Sequence, residues 1–379
     1  MIVTGGGTGG HTYPALTAVR GLRSRLEADG AALDVLWTGK DGGLEQRVAQ
    51  AEGIRFAAVA TGKIRRASNP LKMISAANVR DIGRVPLGVV QARALVARFR
   101  PDVVLATGGY VAVPVGLAAR LCRRPLVVHE QTVRLGLTNR LLARIATSVA
   151  VSSESTLELL PRGVRAVVTG NPVRPELLHG RADRAVRALG LSGFAPELPT
   201  VYVTGGAQGS RQINQLVCRS APWLLQHANI VHQCGKNNAA QLREQFAQLP
   251  EELASRCIVT EFVGSELADV FALADLVISR SGAGTIAELT ALGKPSVLVP
   301  LPSSAGNEQV HNARNLHDAG AAVALPSEVS EADLRAAVTP LLTDRNRRLD
   351  MARRARAHSK PDAADRLVDA MLAAAAHKR

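Results

Sequence analysis

Aromatic residues are scarce, at 3% of the 379 residues. That leaves little material for the stacking platforms on which single-stranded nucleic acids lie. Cysteine is also rare. Cys122, Cys218, Cys234 and Cys257 show no C-x-x-C spacing and no paired framework, so they read as small buried hydrophobes in a reducing cytosol. Long apolar runs are missing too: the longest uncharged stretch, 103–119, is broken by Gly108, Gly109 and Pro114 and falls short of a bilayer crossing. Met1 leads straight into a strand and a glycine turn, without a secretory leader. Any membrane contact is therefore expected to be peripheral. Acidic residues number 32 against 46 Lys and Arg, a formal net charge of +14. This balance suits an anionic partner, whether membrane surface, phosphorylated ligand or nucleic acid, or reflects a coding bias toward Arg. No recognisable nucleic-acid module accompanies the charge.

What is present is a globular chain, 46% hydrophobic and 21% charged, long enough for two domains. Strand-like runs alternate with helix-length segments, the signature of βαβ units and parallel sheets. Strands are expected at 2–4, 34–38, 54–59, 103–106, 126–129 and 148–151, and helices at 13–28, 88–99, 113–122 and 138–145. The pattern then restarts. "IVTGGGTGG" from Ile2 is echoed by "YVTGGAQGS" from Tyr202, with further strands expected near 229–233, 257–261, 276–279 and 296–299. Two such openings predict two doubly wound α/β domains, 1–170 and 171–379, with ligands in the crevice at the strands' carboxyl ends. The boundary falls in Gly170-Asn171-Pro172-Val173-Arg174-Pro175, and an amphipathic last helix, 363–376, is expected to cross back to the first domain.

Each domain carries glycine turns at strand ends. Gly5-Gly6-Gly7-Thr8-Gly9-Gly10-His11 and Thr107-Gly108-Gly109-Tyr110 fall in the first, Gly205-Gly206-Ala207-Gln208-Gly209-Ser210 and Arg280-Ser281-Gly282-Ala283-Gly284-Thr285 in the second. Glycine lets backbone N–H groups approach an anion, and the following helix offers its positive end. The same turns also serve as tight strand–helix connections without a ligand. The first lacks the G-x-G-x-x-G frame with an acidic ribose partner after the second strand, which disfavours a dehydrogenase. His11 is a residue type suited to general-base work, or else a helix N-cap. Glu288 lies one helical turn beyond Thr285, placed to accept hydrogen bonds from a vicinal diol such as ribose, or to sit on a solvated face.

These residues resemble the MurG family of glycosyltransferases nearly end to end. The likeness rests on GGGTGGH from Gly5, TGGYVAVP from Thr107, HEQ from His129 with GLTN from Gly136, and GNPVR from Gly170. It continues through GGAQGSR from Gly205, TEFV from Thr260, RSGAGTIAEL from Arg280 and NEQVHNA from Asn307. The resemblance implies a GT-B fold and an inverting hexosyltransferase of peptidoglycan synthesis, hence of cell wall, cell shape and cell division. Such enzymes move N-acetylglucosamine from UDP-GlcNAc to undecaprenyl-linked lipid I, giving lipid II. It implies chemistry without a metal or other cofactor, and no carboxylate cluster here has metal-ligand spacing.

By resemblance, Thr8, Gly9 and Gly10 lie near the donor sugar, Arg174 contacts the donor, and Val263 faces uracil through its backbone. Ala283, Gly284, Thr285, Ile286, Ala287 and Glu288 hold the nucleotide, with Glu288 on the ribose, and Gln309 binds the sugar hydroxyls. His11 matches the proposed base. Gly6, Gly7, Gly108 and Gly109 are expected at the acceptor diphosphate. Two positions depart from the family pattern. Thr132 replaces an asparagine and Ala207 a serine, both donor contacts, so a paralogue with another donor or acceptor stays in view. Bases alternate with apolar residues through Ile64, Arg65, Arg66, Leu71, Lys72 and Ile74, which suits anionic head groups at the cytoplasmic membrane face, or a solvated loop. A UDP-sugar 2-epimerase shares the two-domain plan but needs acidic residues where these turns offer Gly, Thr and His. A weakly active paralogue that only binds nucleotide-sugar is a third reading.

Overall fold

Ile2, Val3 and Thr4 form a short strand buried on both faces, the burial a parallel sheet with helices on each side requires. In the computed structural model, which describes residues 1–62 and 76–376, two compact units emerge. One is Met1–Val173 with Lys360–Arg379, the other Arg174–Ser359. Among the described residues the first unit holds seven parallel strands: β1 (Ile2–Thr4), β2 (Leu36–Gly39), β3 (Arg55–Ala58), β4 (Val104–Ala106), β5 (Leu126–Glu130), β6 (Ser148–Val151) and β7 (Ala166–Val168). The second holds six: β8 (Thr200–Thr204), β9 (Asn229–Gln233), β10 (Cys257–Thr260), β11 (Leu276–Ser279), β12 (Ser296–Leu298) and β13 (Val323–Ala324).

The spatial orders are β3-β2-β1-β4-β5-β6-β7 and β10-β9-β8-β11-β12-β13. Each places the first strand beside the fourth, so strand order reverses between β1 and β4 and between β8 and β11. Ligands of doubly wound sheets bind beyond the carboxyl ends of the strands at such a reversal.

Alternation along each strand divides the first unit's core into two layers. Val3, Leu105, Val127 and Ala150 meet Ala15, Ala18, Val19 and Leu22 of the helix Gly9–Ala28, together with Leu367, Val368 and Met371 of the last helix, Ala363–Ala376. Ile2, Val104, Leu126, Val128 and Val149 face the opposite way, onto Ala92, Val96, Val115, Ala119 and Leu142. In the second unit Val201, Val203, Ile230, Leu276, Ile278 and Val297 pack on Ile213, Val217 and Leu224 of the helix Arg211–His227. Tyr202 points to the other face, edge-on to Phe271 at 5.4 Å between ring centres.

Several boundaries differ from expectation. The first helix starts at Gly9, not at residue 13, because Thr8 takes the N-cap position and the two poor helix formers after it still join the first turn. This rules out His11 as an N-cap. The helix before β4 is Ala76–Phe99 and runs through Pro86, where a break was expected. A buried face including Ala92 and Val96 offsets the hydrogen bond the proline removes. The short edge strands β7 and β13 were not anticipated. All four cysteines are free, but only Cys234 is fully buried. The basic-apolar run Ile64, Arg65, Arg66, Leu71, Lys72 and Ile74 lies outside the described residues.

Candidate active site

In the first unit the two glycine turns emerge from β1 and β4, on either side of the strand reversal. They touch one another. A Cβ at Gly109 would come 2.4 Å from the Gly6 carbonyl oxygen, and one at Gly5 would overlap the Thr107 hydroxyl. Thr107 Oγ1 donates to the His11 carbonyl at 2.8 Å, which joins the second turn to the first helix. Glu45, fully buried, lies beneath: its Oε2 accepts from the Gly7 amide at 3.2 Å and its Oε1 from the Lys40 amide at 3.0 Å. The Gly7 N–H is therefore satisfied within the protein. Gly9 and Gly10 open the first helix, where the geometry leaves amides without intrahelical acceptors. Thr8 is exposed and makes no side-chain cap.

His11 sits in the first turn of that helix, half-exposed, its ring against the second glycine turn. A Cβ on Gly108 would lie 3.0 Å from His11 Cε1. His11 Nδ1 is 3.0 Å from Gln131 Oε1. Thr132, by contrast, is turned inward. Its hydroxyl meets Glu130 Oε1 at 2.9 Å and the Arg134 carbonyl, and its amide donates to the same carboxylate. Glu130 also accepts from the Gly136 amide and from Asn139 Nδ2, so it shapes the loop that follows β5.

The second unit repeats the plan. Gly205 and Gly206 follow β8, and Gly282 with Ala283, Gly284 and Thr285 follows β11, again flanking a strand reversal. Arg280 binds the two turns together. Its guanidinium donates to Ser210 Oγ at 2.7 Å, Gln212 Oε1 at 2.8 Å and the Val299 and Pro300 carbonyls. Gly209 and Gly235 are demanded by close backbone approach, at 2.0 Å from the Cys234 oxygen and 2.4 Å from the Gln208 oxygen for a hypothetical Cβ. Gly282 and Gly284 differ. Each has ordinary backbone angles and nothing within 4 Å of a hypothetical Cβ, so the protein's own packing does not require glycine there.

Within the helix Ala283–Leu292, Ile286, Ala287 and Glu288 are half-buried. Glu288 Oε1 accepts from Arg174 at 2.9 Å, bringing together two residues 114 positions apart. Burial raises the Glu288 proton affinity above the usual carboxylate range, and Arg174 opposes that shift. The Val263 amide donates to Gln233 Oε1 at 2.9 Å. Gln309 accepts the Leu301 amide through Oε1 at 3.0 Å, leaving its NH2 group as the donor end. Ala207 is exposed at the β8 turn.

Sequence reasoning missed Glu45, which lies two residues beyond Gly43, and the inward role of Arg280 inside a motif read only for its glycines. Among the described residues no group of three or more His, Cys, Asp or Glu is arranged to hold a metal, and no helix is long and apolar enough to cross a membrane.

Two Rossmann-like units with glycine turns at both strand reversals, together with the family matches that follow, make this a glycosyltransferase of the GT-B type. Residues 1–151 match the glycosyltransferase family 28 N-terminal domain and residues 200–367 its C-terminal domain. The chain belongs to glycosyltransferase family 28, and within it to the MurG family. It is 38% identical over 377 residues to the UDP-N-acetylglucosamine--N-acetylmuramyl-(pentapeptide) pyrophosphoryl-undecaprenol N-acetylglucosamine transferase of Desulforudis audaxviator, covering 97% of this chain and 96% of that one. A protein of the same name from Listeria welshimeri is 35% identical, with 98% of each chain covered. The crystal structure of Acinetobacter baumannii MurG superposes with a TM-score of 0.74 at 29% identity, covering 98% of this chain and 99% of that one. A UDP-N-acetylglucosamine 2-epimerase shares the fold at a TM-score of 0.66 and 18% identity, with 98% and 94% covered.

Proposed function

We propose that this enzyme transfers N-acetylglucosamine from UDP-GlcNAc to the muramyl sugar of lipid I, the undecaprenyl-pyrophosphoryl-N-acetylmuramyl-pentapeptide, and so forms lipid II. The observation that carries the proposal is end-to-end similarity to proteins of that named activity, at 38% identity over 377 residues. The second unit, Arg174–Ser359 with its turns after β8 and β11, is assigned the donor. Its helix starts offer amides to the diphosphate, Arg174 adds a cation, and Glu288 keeps Oε2 for a ribose hydroxyl while Oε1 holds Arg174. Gln309 donates to sugar hydroxyls, and the Val263 carbonyl accepts from the base. The first unit is assigned the acceptor: Gly6, Gly108 and Gly109 bear on its diphosphate, and His11 takes the proton of the attacking hydroxyl. Attack at C1 opposite the leaving UDP converts an α-linked donor into a β product.

A lipid-linked acceptor places the enzyme peripherally on the anionic cytoplasmic face of the membrane. The described surface supports this through exposed Leu121, Leu137 and Leu141, with Arg120, Arg123, Arg140 and Arg144 exposed beside them in sequence. One observation favours a different sugar or acceptor. The Thr132 hydroxyl is engaged inside its own loop and Ala207 has none, so two donor contacts of the family pattern have no equivalent group. Product analysis with radiolabelled UDP-GlcNAc and lipid I in detergent tests the main proposal. A labelled disaccharide-lipid is the expected product; transfer only to another acceptor, release of ManNAc without acceptor, or binding without turnover each overturns it. Replacement of the base, His11→Ala, is expected to lower kcat by roughly 10²–10⁴. Near-normal turnover removes His11 from that role.

A further inference from the structure

His11, Gln131 and His129 form a chain of hydrogen bonds whose direction is fixed at its far end. His129 is fully buried, and its Nε2 faces the Gly170 carbonyl at 3.0 Å. A carbonyl only accepts, so the His129 proton resides on Nε2 and Nδ1 presents a lone pair. Burial and the neighbouring His11 push the proton affinity of this ring down to about 4, so it stays neutral near pH 7. Gln131 Nε2 lies 3.1 Å from that lone pair, 2.8 Å from the Thr107 carbonyl and 2.9 Å from the His129 carbonyl. Three acceptors around one end of the amide identify it as the NH2 group and exclude the flipped orientation. The other end, Oε1, can only accept, and the group that faces it is His11 Nδ1 at 3.0 Å.

We infer that Gln131, oriented by His129 and the Gly170 and Thr107 carbonyls, is a positioning residue that holds the His11 proton on Nδ1 and leaves Nε2 bare to receive a proton. The inference rests on the reading of His11 as base and adds which nitrogen acts and why. A free imidazole side chain in water favours the opposite tautomer, with its proton on Nε2, where it has no lone pair to take the acceptor's proton. The carbonyl of Gly170 also accepts from Thr169 Oγ1 at 3.0 Å. A Cβ on Gly170 would come 2.5 Å from Lys360 Cβ and 2.9 Å from Ala363 Cβ, so the relay is anchored where the chain leaves β7 beside the last helix. When His11 becomes charged, its Nδ1–H bond to the neutral amide oxygen persists, and the positive ring is held in the same orientation.

Nitrogen NMR of the ¹⁵N-histidine-labelled protein with neutral imidazole rings reads the tautomers directly, with the His11 and His129 signals identified by their loss in the His11→Gln and His129→Gln variants. The expected pattern is opposite on the two rings: protonated Nδ1 on His11 and protonated Nε2 on His129. In Gln131→Leu, His11 is expected to revert toward the Nε2–H form. Its kcat should fall roughly ten- to a hundredfold or more, while the KM for UDP-GlcNAc stays within about twofold. A His11 signal with protonated Nε2 in the unsubstituted protein overturns the inference without any variant having to fold. So does an unchanged kcat in a folded Gln131→Leu protein. Failure of the base reading looks different: His11→Ala then turns over normally whatever tautomer the spectrum shows.

Discussion

Gly284→Ala separates what the fold needs from what the ligand needs. Gly284 is the second residue of the helix Ala283–Leu292, its backbone angles are ordinary, and a Cβ there meets nothing within 4 Å. Alanine is better than glycine in a helix by about 0.5–1 kcal/mol, because glycine loses more backbone freedom on folding. The substitution should therefore stabilise the second unit by up to that amount. For a unit of this size that is a rise of about 1–4 °C in Tm, measured without ligand by calorimetry. If the amides of this turn hold a nucleotide diphosphate, the added methyl keeps phosphate oxygens away. A hydrogen bond to a charged group contributes about 1.5–3 kcal/mol, so UDP affinity in titration calorimetry should fall roughly ten- to a hundredfold. The opposed signs are the test. A more stable protein with unchanged UDP affinity refutes the assignment of this turn, and a protein destabilised by more than about 1 kcal/mol refutes the reading that its glycine is structurally free.

Glu288→Ala removes a ribose acceptor and leaves Arg174 without its partner at 2.9 Å. UDP affinity should drop roughly tenfold or more, and unchanged affinity dismisses the ribose contact. Glu45→Ala takes the side-chain acceptor from the Gly7 and Lys40 amides, two part-buried hydrogen bonds worth about 0.5–1.5 kcal/mol each, so chemical denaturation should show a loss of about 1–3 kcal/mol. A loss below about 1 kcal/mol shows that the turn does not depend on it. His232 is buried against Asn214 and Phe246, and burial lowers its proton affinity from 6.5 to about 4. The unfolded chain takes up the proton first, so this stability is complete above pH 6.5. It should decline on acidification between the two values by about 1.4 kcal/mol per pH unit. A His232→Asn variant should show a shallower decline over that window, and identical pH profiles remove His232 as a source.

The glycine turns were legible in the sequence because their cause is local. A strand end, small residues and a helix start lie within ten positions of one another, and the repeat of Thr4-Gly5-Gly6 at Thr204-Gly205-Gly206 announces two sheets. Apolar runs mark the interior strands for the same reason, since burial on both faces favours apolar side chains. The short edge strands β7 and β13 carry no such mark. Ala166–Val168 is only partly buried, and Val323–Ala324 is two residues long, so each owes its pairing to a neighbouring strand already in place. Boundaries at Gly9 and Ala76 went the same way, as tertiary packing overrode the weak helix formers Gly9 and Gly10 and the proline at 86.

The sequence by itself determined the doubly wound class, the twofold repeat, the residues that carry amide turns and the family they belong to. Tertiary structure alone decided which polar groups face each other. It set Gln131 against His11, 120 positions away, Glu288 against Arg174, 114 away, and Glu45 under Gly7. It also turned Thr132 and Arg280 inward. Motif spacing records how the chain bends over a few residues, whereas a hydrogen-bond partner is chosen by strand order. That order follows from burying both faces of each sheet at once, a property of the whole unit that no short stretch of sequence contains.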